Sequence, residues 1–103
     1  MPRSPDAERD LADARTALEN DAIPFAIERA WSSAVAAARI GDETTLAALV
    51  EVTTAIADQA APAQHKEADQ LNRYVALCLQ DARNGTRPHS AFERLLGWTR
   101  PQR

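Results

Sequence analysis

Glycine, cysteine and aromatic residues are scarce in this chain of 103 residues, and each scarcity excludes a class of protein. Three isolated glycines cannot build a glycine-rich phosphate loop. The single cysteine, Cys78, excludes an internal disulfide and a cysteine-based zinc cluster. Aromatic residues make up only 5% of the chain, which also has alanine-rich stretches that favour helices over strands. The composition therefore indicates an all-α protein.

Long apolar runs and a basic balance are also missing. No stretch approaches the roughly 20 apolar residues of a membrane-spanning helix, and the first ten residues are charged, unlike a signal peptide. The net charge of −3 gives no general reason to expect nucleic-acid binding. We therefore expect a cytoplasmic protein without a membrane partner. It should form one domain over residues 1–103, with flexible termini at 1–4 and 98–103.

Helix start and stop signals divide the chain into five segments. Ser4-Pro5 is typical of a helix start, and Gly41-Asp42 ends one helix and caps the next. Gly85 is placed to end the longest helix. The predicted helices span residues 5 to about 20, 24–40, 43 to about 60, 62–84 and 88–97. Because the connections are short, we predict an up-and-down bundle of four main helices with a short C-terminal fifth helix.

The predicted fourth helix is apolar on more than one side. Leu71, Tyr74 and Cys78 form one stripe, and Leu77 extends the apolar surface around the helix. Such a helix is either central in a bundle or covered by another chain. We favour the second arrangement, a homodimer interface formed by these four residues.

Three other features have simple structural interpretations. Trp31 shares a helix face with small residues and is predicted to pack in the core, although a small-ligand pocket beside it is an alternative. Asp10, with its acidic neighbours on the first helix, is interpreted as a solubilising residue. His65 and Asp69 lie four residues apart, but two side chains are too few for a metal site. We therefore predict no metal and no cofactor.

The C-terminal part is basic, in contrast to the acidic residues before it. From Gln80 onward five arginines stand against two acidic residues. An acidic body with a basic end can bind an anion or pair with a second copy of itself. Within this part, Arg83 is followed directly by the polar Asn84, and His89 comes after five intervening residues. Those five residues include Gly85 and Pro88.

This Arg–polar–His run resembles the motif of the HEPN superfamily of small helical nucleases and nucleotide-binding modules. The segments AERDLADARTALEN and AIERAWSSAVAAARI look like the opening helical pair of that family. The resemblance covers less than half of the chain. It implies metal-independent RNA cleavage in which His89 acts as general acid or base, Arg83 stabilises charge on the phosphate and Arg87 assists binding. It also implies a site shared across a dimer.

Two functional hypotheses follow from these observations. The leading one is a non-catalytic protein-interaction module, homodimeric or bound to a helical protein partner through the fourth helix and the C-terminal segment. The alternative is a HEPN-like ribonuclease or toxin–antitoxin component that uses Arg83 and His89, and only this alternative implies RNA as a partner. The sequence leaves open whether the protein is an enzyme.

Overall fold

The computed structural model describes residues 2–85, and every regular element in that part of the chain is helical. The all-α class and the packing of four helices are confirmed. The predicted fifth helix at 88–97 lies outside the described residues. The elements are α1 (Pro5–Glu19), α2 (Ile23–Ile40), α3 (Glu43–Gln59), a 3-10 turn (Pro62–Gln64) and α4 (His65–Asn84).

Local capping chemistry sets most of these boundaries as the sequence predicts. The Ser4 hydroxyl accepts the backbone N–H of Ala7, which satisfies one of the free donors at the start of α1. Gly41 ends α2 with a φ of 68°, a left-handed conformation that glycine adopts without steric cost. The predicted start of α4 at Pro62 is corrected to His65, because Pro62 opens the 3-10 turn instead.

Asp42 connects the start of α1 to the turn between α2 and α3. Its carboxylate is fully buried and accepts the backbone N–H of Thr45 at 3.1 Å, the Thr45 hydroxyl at 2.7 Å and the backbone N–H of Ser4 at 2.9 Å. Arg3 lies 3.7 Å from the same carboxylate. Burial raises the pKa of Asp42, but the hydrogen bonds from Thr45 and Ser4 and the charge of Arg3 outweigh it, so the pKa lies below its usual value.

The helices pack in chain order rather than as a closed bundle. The most extensive contacts join α1 to α2, α3 to α4 and α2 to α3, with smaller ones between α2 and α4 and between α1 and α3. The first and last of these four helices are not packed against each other. The described part is accordingly flat, 37 × 35 × 16 Å. Closure of an up-and-down bundle would bring α1 against α4, so the arrangement is an open array.

Both α2 and α3 contact each of the other three helices, and the contacts of α2 are the more extensive. The inner surface of α2 is built from small side chains, and Ala26, Ala30, Ala34 and Ala37 are all fully buried. Short side chains let neighbouring backbones approach closely while the interior stays close-packed. On the same helix the buried Ser33 hydroxyl donates to the carbonyl of Ala7 at 2.7 Å, which ties α2 to α1.

Candidate functional site

Of the three residues predicted to form a nuclease site, only Arg83 lies within the described part of the chain. Arg83 lies near the exposed end of α4, where its Nε is 3.1 Å from a carboxylate oxygen of Glu43 on α3. Arg87 and His89 lie outside the described residues. The structure therefore assigns Arg83 an inter-helix ion pair and gives no geometry for the predicted pair with His89.

The four predicted interface residues of α4 have different environments. Leu71, Tyr74 and Cys78 are buried within the four-helix core of a single chain, whereas Leu77 is only partly buried. The opposite face of α4 is polar apart from Ala76 and carries Asp69, Arg73 and Gln80, all exposed. The apolar stripe of α4 is therefore covered mainly by α2 and α3, and Leu77 is the one of the four with surface left to offer a second chain.

The His65–Asp69 pair lies on the exposed surface of α4. Among residues 2–85, no group of three His, Cys, Asp or Glu side chains is close enough to hold a metal ion. The described geometry thus contains no metal centre that could be assigned to this pair.

A groove lies on the outer surface between α1 and α2. It encloses about 520 Å³, which lies within the roughly 300–1,000 Å³ typical of ligand sites. We call it the α1–α2 groove, and it is lined by Asp6, Arg9 and Asp10 of α1 and by Trp31, Ser32, Val35, Ala36 and Arg39 of α2.

Trp31 forms one wall of the α1–α2 groove and is itself supported from behind. Its ring lies 5.0 Å from the Tyr74 ring of α4, centroid to centroid, with 36° between the planes. Tyr74 is buried, and burial together with the neighbouring Cys78 raises the pKa of its hydroxyl, so it stays neutral. Aromatic pairs at this spacing stabilise each other beyond simple burial. The wall of the groove is therefore fixed to the core through α4.

The floor of the α1–α2 groove contains a buried carboxylate, Asp10. Its Oδ2 accepts the Ser32 hydroxyl at 2.5 Å, and its Oδ1 lies 3.6 Å from a guanidinium nitrogen of Arg29. The Arg29 guanidinium in turn lies 5.1 Å from the centre of the Phe25 ring. Asp10 is therefore partnered by a hydroxyl and a cation, as a buried charge must be. The interpretation of Asp10 as a solubilising surface residue was wrong.

The rim of the α1–α2 groove carries charge of both signs, unevenly shared. On the α1 side, Arg9 and Asp6 form an exposed ion pair at 3.3 Å. On the α2 side, Arg39 occupies the last helical turn and forms no ion pair with any described residue. Among the described residues that line the groove, Arg39 is therefore the charged one without an ion-pair partner.

The acidic groups of the groove are engaged by neighbouring side chains. The Asp10 carboxylate is already engaged by Arg29 and Ser32, and Asp6 is paired with Arg9. A general acid or base needs a proton-transferring group poised to reach a substrate, and none of the described residues that line this groove is a histidine or cysteine. For a ligand, the groove presents the indole of Trp31 and the apolar side chains of Val35 and Ala36 beside the guanidinium of Arg39.

Sequence reasoning identified only part of this site. Trp31 was singled out, and the alternative of a pocket beside it agrees with the position of the groove. The roles of Asp10, Ser32 and Arg39 were missed, because they depend on the packing of α1 against α2, as in the hydrogen bond between Ser32 and Asp10, which lie 22 positions apart. The sequence signal that could have indicated the groove was Val35, an apolar residue on the solvent-facing side of the otherwise regular apolar pattern of α2.

No protein-family model matches this sequence, and no curated protein or solved structure matches it significantly. None of the described helices combines the length and apolar character needed to cross a membrane.

Proposed function

We propose that this chain is a small, non-catalytic helical module that binds another protein through the α1–α2 groove. The observation that carries the proposal is an apolar wall that residues 2–85 leave partly uncovered. Val35 keeps 39% of its surface exposed beside the half-buried Trp31, within a groove of about 520 Å³. A partly exposed tryptophan held by a second aromatic ring is typical of the residues that anchor protein interfaces.

The open sides of the groove favour a protein over a small metabolite. The side chains of Arg9 and Asp6 on the rim are 68% and 74% exposed, and Ser32 is also exposed. Small-molecule sites commonly bury more than about 70% of their ligand, which an open groove cannot do. A helix or extended segment of a partner can cover the groove and its rim together.

Two alternatives remain predictions. Homodimerisation through Leu77 is compatible with its partial exposure, and oligomeric state tests it. A nuclease that uses Arg83 and His89 has only Arg83 within the described residues, paired with Glu43.

Site-specific photo-crosslinking in living cells tests the groove proposal. A benzophenone amino acid is placed at Val35, and in a matched control at Ala76 on the exposed face of α4. We expect a discrete covalent adduct with one other protein from position 35 and none from position 76. Equal labelling from both positions, or no adduct from position 35, would refute binding through the groove. An adduct with twice the mass of the chain would mean that the partner is a second copy of this chain and not a different protein.

A further inference from the structure

The partner chemistry of the α1–α2 groove is set by one charged residue on its rim. Arg39 lies next to the apolar wall, four positions after Val35 and therefore about one turn further along the same helix face. Its guanidinium has no carboxylate partner among the described residues. Arg3, Arg9, Arg29 and Arg83 each form an ion pair, whereas Arg15 and Arg73, which like Arg39 form none with a described residue, do not line the groove.

From this arrangement we infer that the groove takes an acidic peptide segment, in which an apolar side chain contacts Trp31 and Val35 while a neighbouring carboxylate pairs with Arg39. The inference rests on the proposed function and adds the partner's chemistry to it.

Charge complementarity is the argument for a carboxylate. The groove carries acidic and basic groups, but Asp10 is neutralised by Arg29, and Asp6 by Arg9. A basic segment would therefore meet no free anion and would be repelled by Arg39. An acidic segment would gain one uncompensated cation, with the planar fork of donors that suits a carboxylate.

The position of Arg39 has a simpler explanation, which the test must separate from binding. A cation in the last turn of α2 is stabilised by the negative end of the helix dipole, whatever lies nearby. That role predicts a small loss of helix stability when the charge is removed. It predicts no change in the affinity for any peptide.

The test begins with selection of short random peptides, displayed on phage, against the full native chain. A selected peptide is then synthesised in two forms, one native and one with its Asp and Glu residues changed to Asn and Gln. Both forms are titrated against the native chain and three variants: Val35→Glu, Arg39→Gln and the matched control Arg73→Gln, which removes an exposed arginine from α4. Far-UV circular dichroism establishes that each variant is folded.

We expect selected peptides in which Asp or Glu stands beside Leu, Ile, Phe or Trp. Changing the carboxylates to amides should weaken binding to the native chain about fivefold, consistent with an exposed rim pair at low ionic strength. The same change should have no effect on binding to Arg39→Gln, and Arg73→Gln should behave as native. The fivefold difference should shrink at high salt, because exposed charges are screened.

Other outcomes overturn the inference in distinguishable ways. If binding needs Val35 but is equally tight for the acidic and amide forms of a peptide, the proposed pairing of a carboxylate with Arg39 is refuted. Peptide binding in the groove would still be supported. If a small aromatic acid such as indole-3-acetate binds more tightly than the selected peptides, and this binding depends on Arg39, the ligand of the groove is a metabolite and not a peptide. Failure of every selected peptide to depend on Val35 would remove the peptide site, and the photo-crosslinking at position 35 separately decides whether the groove binds a protein.

Discussion

Removal of the Asp42 carboxylate should be among the most destabilising single changes at a polar position of this fold. The carboxylate is fully buried and accepts three hydrogen bonds, two from Thr45 and one from the backbone N–H of Ser4. In Asp42→Ala, loss of the cap on α3 costs about 1 kcal/mol. The Ser4 N–H, left without its acceptor, costs roughly 1–3 kcal/mol more. We expect the free energy of unfolding to fall by about 3 kcal/mol.

The assay is urea unfolding followed by far-UV circular dichroism, with thermal unfolding as a second measurement. For a domain of this size, a loss of about 3 kcal/mol lowers the melting temperature by roughly 15 °C. Asp13→Ala is the matched control, because Asp13 is exposed on α1, and its effect should stay within about 0.5 kcal/mol. Asp42→Asn should be intermediate, since an amide accepts through only one oxygen. A loss below about 1 kcal/mol for Asp42→Ala would refute the reasoning.

The same carboxylate should make stability depend on acid pH. The pKa of Asp42 is lowered in the folded state, whereas in the unfolded chain it is about 3.9. Its stabilisation is therefore complete above the unfolded value and is lost as pH falls through the lower folded value. The difference in unfolding free energy between the native chain and Asp42→Asn should be constant near neutral pH and shrink below about pH 4. A difference that grows on acidification would contradict the assigned hydrogen bonds.

Three further predictions concern the core, α4 and the ion pair. Ala34→Leu should lower the free energy of unfolding by about 1–3 kcal/mol, because Ala34 is fully buried; denaturant titration measures it, with the exposed Ala76→Leu as control. Sedimentation equilibrium of the native chain beside Leu77→Glu tests homodimerisation, which is refuted if both are monomeric. Arg83→Gln should cost no more than about 1 kcal/mol, since its pair with Glu43 is exposed; a larger loss would contradict a surface ion pair.

Local features of this fold were predictable because their physics is local. The cap at Ser4 involves a hydroxyl and a backbone N–H three residues apart, and Gly41 adopts a conformation that few other residues tolerate. Such signals specify where helices begin and end without reference to the rest of the chain. They gave the all-α class and the limits of α1, α2 and α3 to within a few residues.

Helix packing was less predictable because alanine gives little hydrophobic contrast. The stripe on α4, with Leu71 and Tyr74, suggested a central or doubly covered helix, whereas α2 and α3 are the helices that each contact the other three. The surface of α2 is made of short side chains such as Ala30 and Ala34, whose pattern does not reveal how many neighbours they contact. The number of neighbours is a property of the whole array.

The candidate site shows the same limit in polar residues. Asp10 has the sequence environment of a solvated residue, with Glu8 and Arg9 directly before it and Asp13 three positions after it. Its burial depends on Ser32 and Arg29, which reach it only after α1 and α2 have packed together. The cost of burying a carboxylate is met by partners that no short window of sequence contains. Trp31 was recognisable from its type, whereas the groove beside it was not.

The open packing order has a consequence for how the molecule fluctuates. Since α1 lies chiefly on α2 and is not packed on α4, detaching it breaks one main helix interface and the Asp42 contacts while α2, α3 and α4 stay together. Partial openings of this kind need less free energy than global unfolding and appear in native-state hydrogen exchange as a separate cooperative unit. Amide protons of α1 should exchange as one group, ahead of those in α3. Each such opening also removes one wall of the α1–α2 groove, so groove occupancy and the integrity of the N-terminal helix are thermodynamically linked.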